Sequence, residues 1–320
     1  MQKRRVWSHW ASPASSLPYH SKAMRLVCFD DFRIGVLDDA GIHDVSAVIP
    51  KWEAGDIHGM NRLIAGWDSL RASVERAAAQ AAPKALDSVR LRAPVPAPMH
   101  LLAAPVNFGA HQAEMRNQGF GRVPGSGSAG GGDTAETLGF FMKATGSITG
   151  ASDAIELPVK EHGDRRFDHE GEIAFVIGRE ARGVSPEAAT DYIFGYTIVI
   201  DATMRGTPER QEERVQRKSY YSFSPMGPCV TTADELSDWS KLNVKLWLNG
   251  EQRQDANATD MIVNIPKLLS RASHVLALQP GDVYTTGSPP GVGRITPGDK
   301  VVVEAPGIGQ MTLAVVARDW

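Results

Sequence analysis

A chain of 320 residues is long enough for one large core or for two domains, and its 42% apolar and 22% charged residues are those of a globular protein. The formal charge of −3 supplies no basic field for nucleic-acid phosphates or an anionic membrane surface, so small molecules are the expected partners. With only Cys28 and Cys229, a disulfide framework and a Cys/His zinc site are both excluded, which fits a reducing cytoplasm.

The first 23 residues carry Lys3, Arg4 and Arg5 but no continuous apolar run, so they read as a disordered lead rather than a signal peptide. Nowhere is there an apolar stretch of the roughly 18 residues that a membrane-spanning helix needs. From Met24 the pattern is strand, turn, strand, with Asp38-Asp39-Ala40-Gly41 as a hairpin loop between Ile34–Leu37 and Ile42–Val45, which predicts a small antiparallel sheet. Leu63, Ile64, Trp67, Leu70, Val74 and Ala78 recur at spacings of three and four and predict one or two amphipathic helices between Ile57 and Ala82. The Pro-rich run Ala93-Pro94-Val95-Pro96-Ala97-Pro98 continues neither pattern and marks the expected linker between a small α/β domain (24–92) and a larger one (93–320).

The run Pro124 to Gly132 is almost entirely Gly, Ser and Ala and costs much entropy to order. It reads as a solvated loop or, in the sharper alternative, as an active-site lid spanning about 115–139 with glycine hinges. Beyond it, short runs rich in Val, Ile and aromatics predict strands over Glu172–Ile177, Gly195–Ile200, Val244–Leu248 and Val301–Glu304. Only Met261–Leu276 reads as helix. The expected fold class is α+β, predominantly β.

Glu170 and Glu172 stand two apart at the head of a strand pattern, so both side chains face one way, and Asp201 closes the run Gly195–Ile200. Like charges that close repel unless a cation sits between them, which makes these acids a candidate hard-metal site. On spacing alone, a solvated strand face with two acids is the commoner arrangement, and Asp201 alone reads equally as a strand-end turn residue. His111 and Glu114, three apart, share a face on a helical turn, where the carboxylate can orient the imidazole; a surface pair has the same spacing. Lys143, Arg205 and Lys218 are cations that an anionic substrate would need, or ordinary partners of the acids. The loop Thr286-Gly-Ser288-Pro-Pro-Gly-Val-Gly293 lacks the lysine of a phosphate loop and reads as a tight turn.

Taken in order, eight motifs resemble the fumarylacetoacetate hydrolase family from about Ala104 to the C-terminus. They are Asn107-Phe-Gly-Ala-His111-Gln-Ala-Glu114, Phe140-Phe-Met-Lys143, Asp168-His-Glu170-Gly-Glu172, Gly195-Tyr-Thr with Asp201, Arg217-Lys218-Ser219 before Pro225-Met-Gly-Pro228, Asn249-Gly-Glu251 with Gln254, Gln279-Pro-Gly-Asp282, and Thr286 to Gly293. The resemblance implies a mixed β-sandwich/roll catalytic domain, a homodimer, and Glu170, Glu172 and Asp201 as ligands of Mg²⁺, Mn²⁺ or Ca²⁺. It further implies that His111 and Glu114 activate water under a mobile lid, that Lys143 and Lys218 contact substrate oxygens or position the ligands, and that Ser288 borders the substrate. Where many members have Arg-Asp-x-Gln, this chain has Arg205-Gly-Thr-Pro-Glu-Arg-Gln211, a variant similar to the branch of isomerases, decarboxylases and hydrolases of aromatic catabolism.

The expected reaction is therefore metal-dependent hydrolysis of a 2,4-dioxo acid of the acylpyruvate type, giving pyruvate and a carboxylic acid. Decarboxylation or isomerisation of an unsaturated oxo-dioate uses the same enolate chemistry and is the alternative. A binder of small anionic oxo acids without turnover is the second.

Overall fold

The computed structural model describes residues 24–117, 134–207, 209–210 and 212–320. The lead (1–23) and the central part, 118–133, of the run read as a lid (about 115–139) lie outside the described residues, while the ends of that run belong to the helices Gly109–Asn117 and Ala135–Leu138.

The strands Gly171–Ile177 and Ile193–Ile200 pair antiparallel inside the largest sheet, from Gly171 opposite Ile200 to Ile177 opposite Ile193. Every residue of both is buried. That accounts for their unbroken apolar sequences, since a strand covered on both sides needs no polar alternation. Successive side chains still go to opposite faces. Ile173, Phe175 and Ile177 pack in one core with Leu246, Val303 and Leu313 of a second sheet. Ala174 and Val176 join another core with Met60, Leu63, Ile64 and Val74 of the helices Gly59–Ala65 and Trp67–Gln80. The large sheet is thus covered on one side by the second sheet together with the helix Ile265–Ser273, and on the other by the helices Gly59–Ala65 and Trp67–Gln80.

Along the large sheet the order runs Gly41–Asp44, Arg33–Asp38, Arg25–Phe29, Ser224–Thr232, Ile193–Ile200, Gly171–Ile177, Val283–Thr285, Leu101–Ala103, Phe141–Lys143. The second sheet runs Glu251–Asn257, Asn243–Leu248, Lys300–Ala305, Gly309–Ala317, Ile155–Leu157. Strands outweigh helices, as expected from the sequence. The one helix expected late in the chain is Ile265–Ser273, with Asn264 capping its first turn by accepting from the Lys267 N–H at 3.1 Å.

The N-terminal hairpin turns where Asp38 Oδ1 accepts from the N–H groups of Ala40 and Gly41 at 2.9 and 3.2 Å. Its strands extend the large sheet, with Arg25 opposite Thr231 and Leu26 opposite Val230. Along the Pro-rich run that follows, Ala93 and Val95 are buried in the same core as Leu26. No helix among the described residues is long and apolar enough to cross a membrane.

The site is set by a change of sheet. Phe167–His169 pairs with Thr203–Met204 and Gly293–Ile295 in a small third sheet, whereas Gly171–Ile177 belongs to the large one. Glu170 stands at the crossing. Asp201 stands just past the end of the neighbouring strand and donates its N–H to the Glu170 carbonyl at 2.8 Å. Two chains leaving the large sheet side by side therefore bring Glu170, Glu172 and Asp201 to one place.

Candidate active site and metal centre

Glu170, Glu172 and Asp201 each offer an oxygen within 4.8 Å of the others. They are 4%, 1% and 1% exposed, so the group is no solvated strand face. Three buried carboxylates need compensation, and the cations supply it unevenly. Lys143 Nζ lies 2.5 Å from Asp201 Oδ1 and donates to the Phe223 carbonyl at 2.8 Å. Lys218 Nζ bridges Glu170 Oε2 at 2.8 Å and Asp201 Oδ2 at 2.5 Å, and donates to Thr203 Oγ1 at 2.7 Å. Arg205 forks between Glu170 Oε1 at 2.5 Å and the buried Asp168 Oδ2 at 2.7 Å, and Arg166 holds the other oxygen of Asp168 at 2.6 Å.

Glu172 has no cation at ion-pair distance among the described residues, and it accepts the Gly287 N–H at 2.9 Å. Burial first, and then the neighbouring Asp201 and Glu170, push its carboxyl up to about 8. Glu170 goes the other way: burial opposes ionisation, but Lys218 and Arg205 hold the carboxyl well below the usual range. A buried carboxylate without its own counter-charge, beside two more, fits a hard divalent cation with oxygen ligands. The arrangement therefore suits Mg²⁺ or Mn²⁺ held by Glu170, Glu172 and Asp201.

His111 and Glu114 lie on the helix Gly109–Asn117, with Nδ1 3.5 Å from Glu114 Oε2. The imidazole is nearly enclosed. Burial lowers its pKa, against the opposing pull of Glu170, so the ring is neutral near pH 7. The same Glu114 oxygen also accepts the Gly291 N–H, at 3.0 Å.

Ser288 is buried, and its hydroxyl accepts from Gln254 Nε2 at 3.1 Å. Gln254 also donates to the Pro289 carbonyl at 3.0 Å and accepts the Gly171 N–H at 2.9 Å. It thus ties the Thr286–Gly293 loop to the backbone between the two glutamates. Asn107 holds the base of the same loop, donating to Thr286 O at 2.8 Å and Val263 O at 2.9 Å and accepting from the Val263 N–H at 2.8 Å.

All nine residues singled out from the sequence gather here, Ser288 through Gln254. In this structure Lys143, Lys218 and Arg205 all face the acids. Asp168, Gln254, Asn107 and the N–H groups of Gly287 and Gly291 went unassigned in the sequence reading. Asp168, Gln254 and Asn107 each stand inside a quoted motif, and that was the available signal.

The model of the family described as "Fumarylacetoacetate (FAA) hydrolase C-terminal" matches residues 101–316. A maleylpyruvate hydrolase from Aquipseudomonas alcaligenes is 38% identical over 295 residues, covering 91% of this chain and 99% of that protein. The crystal structure of maleylpyruvate hydrolase from Sphingobium sp. SYK-6, in complex with manganese(II) and pyruvate, has a TM-score of 0.77 at 36% identity, covering 92% of this chain and 99% of that one. A 5-carboxymethyl-2-hydroxymuconate delta-isomerase from Mycobacterium smegmatis has a TM-score of 0.66 at 26% identity, covering 92% of this chain and all of its own, 100%. On the extent of the family match and the length over which these relatives align, this chain belongs to the fumarylacetoacetate hydrolase family.

Proposed function

We propose that this chain is a divalent-metal-dependent hydrolase that cleaves a carbon–carbon bond in a 2,4-dioxo acid of the acylpyruvate type, as its maleylpyruvate hydrolase relatives do by name. The observation that carries the reading is the convergence of three buried carboxylates, one lacking a counter-charge, beside a neutral histidine backed by a glutamate.

Glu170, Glu172 and Asp201 would hold the ion. When bound, it supplies a Lewis acid that polarises the oxo-acid end of the substrate. His111 donates Nδ1–H toward Glu114, which leaves the Nε2 lone pair as the base. Nε2 takes a proton from water as the water oxygen bonds to the distal carbonyl carbon, C4. The C3–C4 bond then breaks, its electron pair passes to C3 as the pyruvate enolate, and His111 returns the proton to C3. Lys143 contributes a fixed positive charge at Asp201, and the closed surroundings of His111 keep bulk water from competing.

Metal-stripped and reconstituted protein assayed with acylpyruvates and with oxaloacetate, following pyruvate and CO₂, tests the proposal. Turnover that survives removal of the metal would sink it. The likeness to a delta-isomerase favours isomerisation of an unsaturated oxo-dioate as the second reading. That chemistry needs no attacking water, so undiminished turnover by His111→Ala would select it. The resemblance supports a homodimer, which light scattering checks, and two buried free thiols support a reducing, cytoplasmic setting.

A further inference from the structure

Arg214 and Arg217 share one face of the short helix Arg214–Arg217, immediately before Lys218. The Lys218 ammonium, which grips Glu170 and Asp201, lies 5.5 Å from the centre of the Phe141 ring. The Arg214 guanidinium carbon lies 5.2 Å from the same centre. One aromatic ring therefore spans the distance from the acid cluster to Arg214.

The buried and half-buried acids nearby are already committed, and the exposed Glu213, which precedes Arg214, is not at ion-pair distance from either arginine. Glu170 is taken by Arg205 and Lys218, Asp168 by Arg205 and Arg166, and Glu212 by Arg165 through two parallel bonds of 2.8 Å. Among the described residues Arg217 reaches only the Glu212 main-chain oxygen, through Nε at 2.8 Å, and its two terminal nitrogens have no acceptor there. Among the described residues, neither Arg214 nor Arg217 has a carboxylate at ion-pair distance. Both are half-buried. Burial, and then the charges of Arg214 and Arg205, push the Arg217 guanidinium down, as a surplus of positive charge would. Half-buried guanidinium groups side by side are costly without an anion, and a carboxylate offers the planar partner that their forks fit.

The geometry points to Arg217, with Arg214 beside it, as the recognition site for the second carboxylate of a dioate substrate whose oxo-acid end lies at the acid cluster. This rests on the hydrolytic reading and deepens it: it assigns the residues that would select a dioate over an acylpyruvate with a neutral tail. Phe141 then serves to hold Lys218 and Arg214 in place at the two ends, through the ring that both cations cover. Acylpyruvates with a neutral tail lack the group that this end of the site would bind.

The test compares metal-loaded wild type, Arg217→Gln and Arg214→Gln on maleylpyruvate, a dioate, and on acetylpyruvate, which ends in a methyl group. The wild type is expected to favour the dioate at least tenfold in kcat/KM. Arg217→Gln should cost roughly 30- to 100-fold on the dioate, mainly in KM, and less than about threefold on acetylpyruvate, with partial recovery in Arg217→Lys. Equal losses on both compounds, or no loss on either, would overturn the assignment. Should Arg217→Gln fail to fold for want of its bond to Glu212, Arg214→Gln has no such bond and carries the test. If wild type turns over neither compound, the hydrolytic reading fails. Calorimetric binding of the same pair to the metal-loaded protein then decides this assignment separately: a dioate held no more tightly than acetylpyruvate, or a preference that survives Arg217→Gln, overturns it.

Discussion

The backbone N–H of Gly291 donates to Glu114 Oε2 at 3.0 Å, joining the loop before Gly293 to the helix that carries His111. Gly291 has a positive φ of 92°, and a Cβ there would collide with the Arg253 carbonyl oxygen. Gly291→Ala should therefore destabilise the fold by more than about 1 kcal/mol, read as a lower Tm, because the substitution is both strained and crowded. It should also lower kcat about tenfold, since the carboxylate that orients the imidazole loses its anchor. Wild-type kinetics in a folded Gly291→Ala protein would show that Glu114 needs no such anchor.

Burial keeps the His111 imidazole below its ordinary value of 6.5, so the neutral base persists into mildly acid solution. The expected profile of kcat/KM holds level down to about pH 6.5 and falls with a slope of one as pH drops through the lowered pKa. Stability follows the same sign. The unfolded imidazole binds its proton first as pH falls, so this group's contribution is intact above the unfolded value and is lost below it. His111→Ala should remove the acid limb and reduce kcat by about 100- to 10,000-fold.

Glu172 separates metal affinity from fold. Substituting Glu172→Gln removes a ligand oxygen's charge and should weaken divalent-metal binding by roughly 100-fold or more, measured by calorimetry or by the metal-induced rise in Tm. The metal-free variant should be at least as stable as metal-free wild type at pH 9, because a buried carboxylate without a cationic partner is replaced by a neutral amide. A large drop in Tm without metal would mean that the carboxylate's charge is compensated in some other way.

Gln254 makes three bonds that no smaller residue can reproduce, to Gly171, Ser288 and Pro289. Gln254→Ala leaves the buried Gly171 N–H unpaired at a cost of about 1–3 kcal/mol in chemical denaturation. Because the freed loop also carries Gly287 and Gly291, metal affinity and kcat should fall together. A variant that loses stability but keeps both would confine Gln254 to a structural role.

What could be read in the sequence were the features set by near neighbours. Glu170 and Glu172 share a direction because they are two apart, and Asp201 ends its strand pattern. His111 and Glu114 share a helix face because they are three apart. The hairpin around Asp39 and the two helices between Gly59 and Gln80 follow from the same local periodicities. Burial was not legible, since the covering of the acids depends on strands far along the chain, such as Val283–Thr285 against Val176–Ala174. Nor was the chain's change of sheet at Glu170, nor the commitment of Arg205 to Asp168, a contact across 37 residues. Motif order supplied what spacing could not.

The pairing of Leu26 with Val230 means that the strand Ser224–Thr232 is no free edge in the intact chain. Residues 101–316 contain every proposed ligand and the proposed base, yet a fragment cut there would leave Val230 and Met226 facing solvent where Leu26, Cys28 and Ile34 now pack. Its bare N–H and C=O groups would offer a template to the next copy of the same fragment. The N-terminal hairpin is thus a protective covering as much as a scaffold, and the fragment that carries the site, expressed alone, is a candidate for aggregation rather than for assay.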